Sequence, residues 1–512
     1  MTISLRTLCS GLSLILKEQI TPILAKTMVI DPLWDEMIPK DQFKLYMMPK
    51  LKLCILIASL CFTFKASAGI KLPAVLSNHM VLQQKSSVPL WGEARTNAVI
   101  NITTSWNKKV YRIKADAGGK WRLMVQTPAA GGPYSITFTD GTVLQLTDIM
   151  IGEVWVCSGQ SNMEMPMRGF KSIPILNSND LLVKADNQNI RLFQIPHAVS
   201  ASPLADCSAN WKVSSSESAL MFSAIGFQFG LMLQETLKVP VGIIEADWGG
   251  TPIEAWMPAK SLAGFPVIKL PAPNQKMYSG TPTSLFNGMI APISGFGIQG
   301  FLWCQGEANI RKPDHYDQKM KSMVEAWREN WKRDTIPFYY VQIAPFKYPS
   351  FPDSVPYLRE KQQLAQSLIP NSGMVVSIDA GDEFNIHPSD KTTISKRLLY
   401  WALGHTYNKK GVAYQSPLYQ GMGVVGKEVV LDFKNTPQGF TSYRKEVTGF
   451  EIAGEDKVFH PATAKLWNNT IYVMSAEVSK PVAVRYAFKD SGVGNVYNTF
   501  GLPVAPFRSD NW

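Results

Sequence analysis

The stretch from residue 152 to residue 164 constrains the fold more than any other part of the chain. An apolar run rich in β-forming residues ends there in the small and polar segment Ser158-Gly-Gln-Ser-Asn162. A buried strand that ends in this way can turn sharply into a helix and present one side chain at the carboxyl edge of a parallel sheet. The sequence therefore predicts a strand that delivers Ser161 as a nucleophile, with an ordinary strand-to-loop junction as the alternative.

The region that follows residue 148 alternates apolar strand-like runs with segments of helical periodicity, which predicts an α/β domain with a parallel sheet and helices on both faces. The predicted strands cover residues 239–247, 300–304, 337–344 and 373–378, and the predicted helices cover 223–237, 315–331 and 391–403. Three strands end in polar, glycine-containing segments, at 158–162, 248–251 and 305–307. Because the carboxyl ends of parallel strands line one crevice, these segments are predicted to converge on a single site.

The chain is too long for one core and is expected to divide into several domains. Short alternating strands and glycine-rich turns predict an N-terminal β-sandwich at residues 69–148. The hydrolase-like domain is predicted at 149–411, and β character returns in a C-terminal β-rich region at 412–512, whose last residues are expected to pack on the α/β domain. His79 and Trp91 in the sandwich are interpreted as packing or surface residues.

Residues 1–68 are expected to be an over-extended start followed by a signal peptide at 48–68. Lys50 and Lys52 supply a positive segment, residues 53–64 an apolar run, and Ala66-Ser-Ala68 a cleavage signal. The apolar run is too short to span a bilayer as a helix. The sequence therefore predicts an exported protein, periplasmic or extracellular, with a buried core segment as the alternative for residues 48–68.

The charge and the cysteines exclude other classes of protein. The formal net charge is +11, but no run of Lys or Arg exceeds two residues, so nucleic acid is not expected as a partner. Only Cys157, Cys207 and Cys304 follow the leader, and no C-x-x-C motif occurs, which argues against a disulfide scaffold or a zinc ribbon. We expect no metal and no organic cofactor.

Serine hydrolysis needs a base, an orienting acid and donors for the oxyanion, besides the nucleophile. Of the six histidines, His387 has the best context, because it lies in an acidic loop after a predicted strand. Asp379, Asp382 and Glu383 all precede it closely enough to orient its ring. Solvation of an ordinary acidic loop is the alternative.

Several groups are candidates for the oxyanion site or for substrate binding. The backbone N–H groups of Ser161 and of Gly249 or Gly250 are natural oxyanion donors, and the side-chain amide of Gln305 is a further candidate. Asn162 and Glu307 lie in the same polar segments and are predicted to contribute to the oxyanion or substrate-binding site.

Five ordered motifs together resemble the sialate O-acetylesterase family of the SGNH hydrolases. They lie at residues 159–163, 248–256, 287–292, 305–307 and 386–388, and the resemblance runs from about residue 72 to residue 512. It implies a three-layer α/β/α hydrolase domain, cleavage of O-acetyl groups from sugars, Ser161 as nucleophile and His387 as base. It also implies that Gln305 stands where other SGNH enzymes have asparagine.

The chain departs from that family at the acid. SGNH enzymes commonly place the acid three residues before the histidine, where this chain has Phe384. We choose Asp382 as the acid, with Asp379 and Glu307 as alternatives, and a Ser–His dyad supported by a backbone carbonyl is a third possibility.

The sequence thus predicts a serine carbohydrate esterase that acts on an acetylated carbohydrate, either sialic acid or an acetylated plant polysaccharide, through an acetyl-serine intermediate. The rival from another class is a catalytically inactive glycan-binding or surface-assembly protein. Within enzymes, a general esterase or lipase is the alternative.

Overall fold

We describe a computed structural model of the chain at residues 69–272, 274–349 and 354–512. The predicted signal peptide lies outside these residues, so export stays a prediction. Within the described residues no helix is long and apolar enough to cross a membrane. The proposed division into domains at residues 148 and 411 also stays a prediction, although the strands and helices described below follow the predicted order.

The N-terminal part consists of β-strands that pair mostly with antiparallel neighbours. They are β1 (Val81–Gln83), β2 (Ser87–Glu93), β3 (Val99–Thr104), β4 (Val110–Lys114), β5 (Lys120–Gln126), β6 (Gly131–Thr139) and β7 (Val143–Gly159). Strands β2 and β5 form a sheet of their own, whereas β4, β3, β6 and β7 pair in that order in another. Apolar side chains such as Val88, Ile102 and Phe138 are fully buried between them, because alternate residues of each strand face inward.

Strand β7 belongs to two sheets at once. Its first part pairs antiparallel with β6, up to Ile151, and its second part pairs parallel with β10 and β11, from Glu153 to Gly159. The change of partners falls close to the predicted boundary at residue 148. The two sheets are therefore joined by a continuous strand, with no linker between them.

The α/β part contains the remaining sheet strands and the longer helices. Its strands are β8 (Asn187–Gln194), β9 (Trp211–Ser214), β10 (Val241–Asp247), β11 (Gly300–Cys304), β12 (Phe338–Val341) and β13 (Ser372–Val375). Its helices are α1 (Ser161–Glu164), α2 (Ser178–Leu182), α3 (Ser216–Leu220), α4 (Ala224–Leu237), α5 (Tyr316–Trp331), α6 (Val355–Leu368) and α7 (Lys391–Trp401). Short 3₁₀ or π turns lie at Ile253–Trp256, Ala259–Leu262, Phe286–Ile290, Ala291–Ile293, Glu307–Asn309 and Ala402–Thr406.

The central sheet has the order β13-β12-β11-β7-β10-β8, all parallel, with β9 antiparallel at the edge. Alternate residues of β7 face opposite layers: Trp155 and Cys157 share a buried cluster with residues of α4 and α7, whereas Val154 and Val156 share another with residues of α5 and α6. This confirms the predicted three-layer α/β/α arrangement. Cys157 and Cys304 are free thiols in the apolar interior, as the strand pattern indicated.

The C-terminal part is rich in short strands and contacts the α/β part. Its strands are β14 (Leu418–Val425), β15 (Glu428–Lys434), β16 (Phe440–Thr441), β17 (Phe450–Ala453), β18 (Phe459–Pro461), β19 (Thr463–Trp467), β20 (Thr470–Met474), β21 (Ala483–Tyr486), β22 (Tyr497–Asn498) and β23 (Phe507–Arg508). The Arg508 guanidinium donates to both carboxylate oxygens of Glu360 on α6, at 2.8 and 3.0 Å. Buried Arg359 donates to the carbonyl oxygens of Lys489 and Asp490, both at 2.9 Å. These hydrogen bonds connect the C-terminal part to α6.

Candidate active site

Ser161 is the first residue of α1 and follows the end of β7 by two positions. Gly159 makes the turn possible, because its φ is +142° and a Cβ atom on it would lie 2.1 Å from the carbonyl oxygen of Cys304. Strands β7, β10 and β11 end in register, with Asp247 and Cys304 both opposite Gly159. The predicted convergence of the three polar strand ends is therefore confirmed.

The structure brings Ser161 and His387 together. The Nε2 atom of His387 lies 2.8 Å from the Oγ atom of Ser161, within hydrogen-bond distance. His387 lies in the loop between β13 and α7. Its backbone N–H donates to Asn385 Oδ1 at 2.9 Å, and its ring packs edge-to-face with Phe170, with 5.1 Å between the ring centres. Burial lowers the pKa of His387, and the nearby Lys391 cation lowers it further while Glu164 opposes the shift. The imidazole is thereby kept neutral and able to accept a proton near neutral pH.

Asn162 joins the nucleophile to the histidine loop. Its Nδ2 donates to the carbonyl oxygen of Ile386 at 3.1 Å and to Glu307 Oε1 at 2.6 Å, while its Oδ1 accepts from Lys391 Nζ at 2.7 Å. Both amide hydrogens and the oxygen are thus in use. Since Asn162 follows Ser161 and Ile386 precedes His387, this side chain links the two segments, and its amide hydrogens are not free for an oxyanion in this conformation.

The two charged partners of Asn162 are buried. Lys391 is 3% exposed, and burial lowers its pKa to about 8, although Cys304, Glu307 and Asp390 act in the opposite direction. Burial raises the pKa of Glu307, which is 9% exposed and whose Oε2 has no hydrogen-bond partner in the described structure. Glu307 therefore supports Asn162, and among the described residues it forms no hydrogen bond to His387.

The carboxylates near His387 are engaged elsewhere. Asp382 Oδ1 accepts the N–H of Phe384 at 2.9 Å, and Asp379 forms a bidentate ion pair with Arg397 at 2.6 and 2.7 Å. Phe384, at the position where related enzymes carry the acid, is 83% exposed. Among the described residues no carboxylate forms a hydrogen bond to His387. The choice of Asp382 has no contact in its favour, because that side chain closes a turn in its own loop.

The N–H groups of Gly249 and Gly250 differ in their hydrogen bonding. The N–H of Gly249 donates to Glu164 Oε2 at 2.6 Å, so it is not free for an oxyanion in this conformation. This corrects the expectation for Gly249. A Cβ atom at Gly249 would lie 3.2 Å from Ser161 Cβ, which shows how closely this backbone approaches the nucleophile. Gly250 has a φ of +69° with open space around it, and in the described chain neither its N–H nor that of Ser161 has a hydrogen-bond acceptor.

Gln305 lies beneath the site as a support. Its Nε2 donates to the carbonyl oxygen of Thr251 at 3.1 Å and to Asn309 Oδ1 at 2.7 Å, and its Oε1 accepts from the Tyr316 hydroxyl at 2.7 Å. The side chain is fully buried. The prediction of Gln305 as an oxyanion donor is therefore wrong for this conformation, since both amide hydrogens are already donated.

A cavity of about 350 Å³ adjoins the Ser161–His387 pair through Glu164 and Phe170. On its wall, the His197 ring stacks on Trp248 at 4.0 Å, and His197 Nε2 lies 3.1 Å from Glu164 Oε1. The exposed Arg168 and the buried carboxyl groups of Glu245 and Asp247 also line it. Burial raises the pKa of Glu245 to about 7 and that of Asp247 well above its usual range, and the negative charges of Glu245 and Glu164 raise the pKa of Asp247 further. The cavity thus offers both donors and acceptors to a polar ligand.

Sequence reasoning missed Lys391, Glu164 and His197 as parts of this site. Lys391 reads as the first residue of a helix, and Glu164 as the last residue of a strand-to-helix turn. A lysine four residues after a candidate catalytic histidine was a usable signal, because residues at this spacing reach the same surface when a helix begins between them.

Comparisons with known proteins find similarity to carbohydrate esterases. Residues 151–400 match the family described as carbohydrate esterase, sialic acid-specific acetylesterase. The chain is 29% identical to human sialate O-acetylesterase over an aligned length of 428 residues, and the alignment covers 76% of this chain and 80% of that protein. It is 26% identical to the rat sialate O-acetylesterase over 521 residues, covering 87% and 95% of the two chains. A crystal structure of a carbohydrate acetylesterase from Xanthomonas citri superposes with a TM-score of 0.80 at 34% identity, covering 86% of this chain and all of that one.

Proposed function

The chain belongs to the sialate O-acetylesterase family of carbohydrate esterases and is a carboxylic ester hydrolase, and we propose that it deacetylates sugars by a serine mechanism. The observation that supports this mechanism is the 2.8 Å contact between Ser161 Oγ and His387 Nε2. Hydroxyl and imidazole at this distance are what nucleophilic catalysis by serine requires.

In the proposed first step, neutral His387 removes the hydroxyl proton of Ser161 while Oγ attacks the carbonyl carbon of the acetyl group. The N–H groups of Ser161 and Gly250 are the proposed oxyanion donors, because neither has an acceptor in the described chain. The N–H of Gly249 joins them only if Glu164 moves away. Each oxyanion donor contributes roughly 3–4 kcal/mol to transition-state stabilisation in studied hydrolases.

When the tetrahedral intermediate collapses, the bond between the carbonyl carbon and the sugar oxygen breaks, and His387 returns its proton to that oxygen. Water then attacks the acetyl-serine, with His387 again accepting the proton, and acetate leaves as Ser161 regains its hydrogen. We propose that the Ser161–His387 dyad performs both steps and that Asn162 and Lys391 hold the dyad in place.

Acetate release from 4-nitrophenyl acetate and from acetylated glycans tests this mechanism. Ser161→Ala and His387→Ala are each expected to lower kcat by at least about a thousandfold, as removal of a nucleophile or base does in serine hydrolases. The controls are Ser208→Ala and His460→Ala, which lie away from the site and should retain wild-type turnover. Undiminished turnover in either site variant would refute the assignment.

The alternative of a catalytically inactive glycan-binding protein is tested by trapping Ser161 chemically. An organophosphonate is expected to add one phosphonyl group to Ser161, which mass spectrometry of the intact chain and of its peptides detects. A wild-type chain that binds glycans but takes up no phosphonate would favour the inactive alternative.

The sugar is proposed to be sialic acid or an acetylated plant polysaccharide. Arg168 is exposed at the cavity beside the dyad, and replacing it can distinguish these two candidate substrates. A guanidinium pairs with the carboxylate of sialic acid but has no charged partner on a neutral glycan. Arg168→Ala is therefore expected to raise KM for acetylated sialic acid if that is the substrate, and to leave KM for acetylated xylan unchanged.

A further inference from the structure

A second cavity lies between the N-terminal strands and the α/β part, away from Ser161. It encloses about 470 Å³, a size typical of small-molecule sites, which cover roughly 300–1,000 Å³. We call it the Trp91 cavity and define it by Trp91, Asp116, Lys120, Trp121, Arg122 and Asp206. None of the residues that line the cavity beside the dyad lines this one.

The Trp91 cavity has an aromatic wall, and one face of its Trp91 ring is covered by the guanidinium of Arg122. The ring of Trp91 is half-buried, and the Arg122 guanidinium lies over it at 5.3 Å from the ring centre. Trp121, beside it, is 4% exposed, and its indole N–H has no hydrogen-bond partner in the described structure. The exposed part of the Trp91 ring can accommodate the C–H face of a pyranose ring, whereas the Trp121 indole N–H is buried and does not face the open space of the cavity.

Two carboxylates in the cavity are held rigidly by the backbone. Asp116 Oδ1 accepts the N–H groups of Gly118 and Lys120 at 2.9 and 2.8 Å. Asp206 Oδ1 accepts the N–H groups of Ala74 and Cys207, both at 2.8 Å. Among the described residues the second oxygen of each carboxylate has no donor. Each is thus an acceptor that is fixed before any ligand arrives, which lowers the entropic cost of binding.

The charges of the cavity balance. Three acidic side chains line it, those of Glu93, Asp116 and Asp206, and three basic ones, those of Lys71, Lys120 and Arg122. A ligand with a net charge would therefore meet repulsion from one set as well as attraction from the other. A neutral ligand whose hydroxyl groups both donate and accept matches the mixed lining best.

We propose that the Trp91 cavity binds a neutral sugar unit of a polysaccharide and so anchors a polymeric substrate apart from the catalytic dyad. Anchoring raises the local concentration of acetyl groups near Ser161 without changing the chemistry, as linked binding sites do. The effect on polymer turnover rests on the proposed function, whereas binding itself does not.

Binding is measured in the Ser161→Ala background, so that catalysis does not interfere. Calorimetry with xylohexaose and cellohexaose and affinity electrophoresis in deacetylated xylan and xyloglucan serve as probes, with polygalacturonate as a charged control. We expect at least one neutral probe to bind, and Trp91→Ala to weaken its binding about tenfold, which corresponds to about 1.4 kcal/mol. Asp116→Asn retains the Oδ1 acceptor of the turn but turns the free oxygen into a donor, and is expected to weaken binding severalfold.

Trp467→Ala is the matched control, because Trp467 is 68% exposed and lies on β19, outside the cavity. With Ser161 intact, Trp91→Ala should keep wild-type turnover of 4-nitrophenyl acetate, which shows that the chain is folded, and raise KM for acetylated polymer. The proposal is overturned if none of the neutral probes binds, if polygalacturonate alone binds, or if Trp467→Ala weakens binding as much as Trp91→Ala. The serine mechanism is tested by the loss of aryl acetate turnover in Ser161→Ala, and the Trp91 cavity is tested by the binding measurements. Either proposal can therefore fail without the other.

Discussion

Replacing Asn162 by alanine tests whether the buried amide positions the reacting groups. The change removes the hydrogen bonds to Glu307, to the carbonyl oxygen of Ile386 and from Lys391. Neither the nucleophile nor the histidine is altered. Any loss of activity beyond the loss of folded protein would therefore come from a change in their relative position.

The cost in stability follows from the partners. A hydrogen bond to a charged group contributes about 1.5–3 kcal/mol and a neutral one about 0.5–1.5 kcal/mol. Two of the three bonds have ionisable partners, and burial disfavours the charged form of both. Burial lowers the pKa of Lys391 to about 8 and raises that of Glu307, so both groups can lose their charge when Asn162 is removed. We therefore expect a decrease of about 3.5 kcal/mol in the free energy of unfolding, which is the sum of the lower values for the three bonds.

Urea unfolding measures that decrease, and turnover of 4-nitrophenyl acetate by the folded fraction measures the effect on catalysis. Because the Ile386 carbonyl loses its donor, the histidine loop is expected to shift, and a displacement of about 1 Å can cost about a hundredfold in rate. Asn330→Ala is the control, since its amide makes a single bond, to Ala326, on the exposed face of α5. If Asn162→Ala unfolds like the wild type, or keeps its full kcat, the positioning argument fails.

Four further predictions address the same site and the leader. The acid limb of kcat/KM should have its midpoint below pH 6.5, because the pKa of His387 is lowered and its neutral form is active. Lys391→Met should raise that midpoint, because the variant lacks the cation that lowers the pKa of His387. The unfolded chain binds more protons at Lys391 than the folded chain between about pH 8 and 10.5, so the wild-type free energy of unfolding should rise relative to Lys391→Met across that window. Gly249→Ala should abolish most turnover, because its Cβ would lie 2.8 Å from a carboxylate oxygen and 3.2 Å from the nucleophile's Cβ, whereas Gly250→Ala should cost only about 1–2 kcal/mol of stability from its positive φ. Mass spectrometry of the exported chain should find Gly69 at its N-terminus, and a longer mature chain would contradict the predicted cleavage.

The sheet and the position of the nucleophile were predictable because they depend on local patterns. Apolar runs with polar, glycine-containing ends specify parallel strands and the edge at which they end, and the register of Gly159, Asp247 and Cys304 confirms this. The division of β7 between two sheets could not be predicted from the sequence. Its seventeen residues from Val143 to Gly159 form one strand, and pairing partners far along the chain decide where one sheet ends and the next begins.

The supporting residues of the site were harder to predict than the dyad. Gln305 and Gly249 have the residue types and positions of oxyanion donors, but whether an N–H is free depends on its neighbours in space. Tyr316, Asn309 and Glu164 supply those neighbours, and none is marked by spacing to the group it engages. Polar residue types at strand ends thus identify a site, whereas the assignment of donors requires the complete set of hydrogen bonds.

The departure at Phe384 bears directly on how the histidine is oriented. In a Ser–His–Asp triad, replacing the acid by its amide lowers kcat by about ten-thousandfold, because the imidazole loses the partner that fixes its tautomer. Here no carboxylate among the described residues forms a hydrogen bond to His387, and Asp382 Oδ1 accepts the N–H of Phe384. Asparagine retains that acceptor, so Asp382→Asn preserves the turn while removing the charge.

We therefore expect Asp382→Asn to lower kcat for 4-nitrophenyl acetate less than about tenfold, far from the loss seen in a triad. Phe384→Asp should likewise give no large gain, because an 83% exposed side chain is solvated by water and has no contact with the imidazole to replace. Both variants are compared with wild type across the acid limb of the pH profile. A loss of several thousandfold in Asp382→Asn, with an unchanged unfolding curve, would show that Asp382 turns toward His387 during the reaction and that the dyad is in fact a triad.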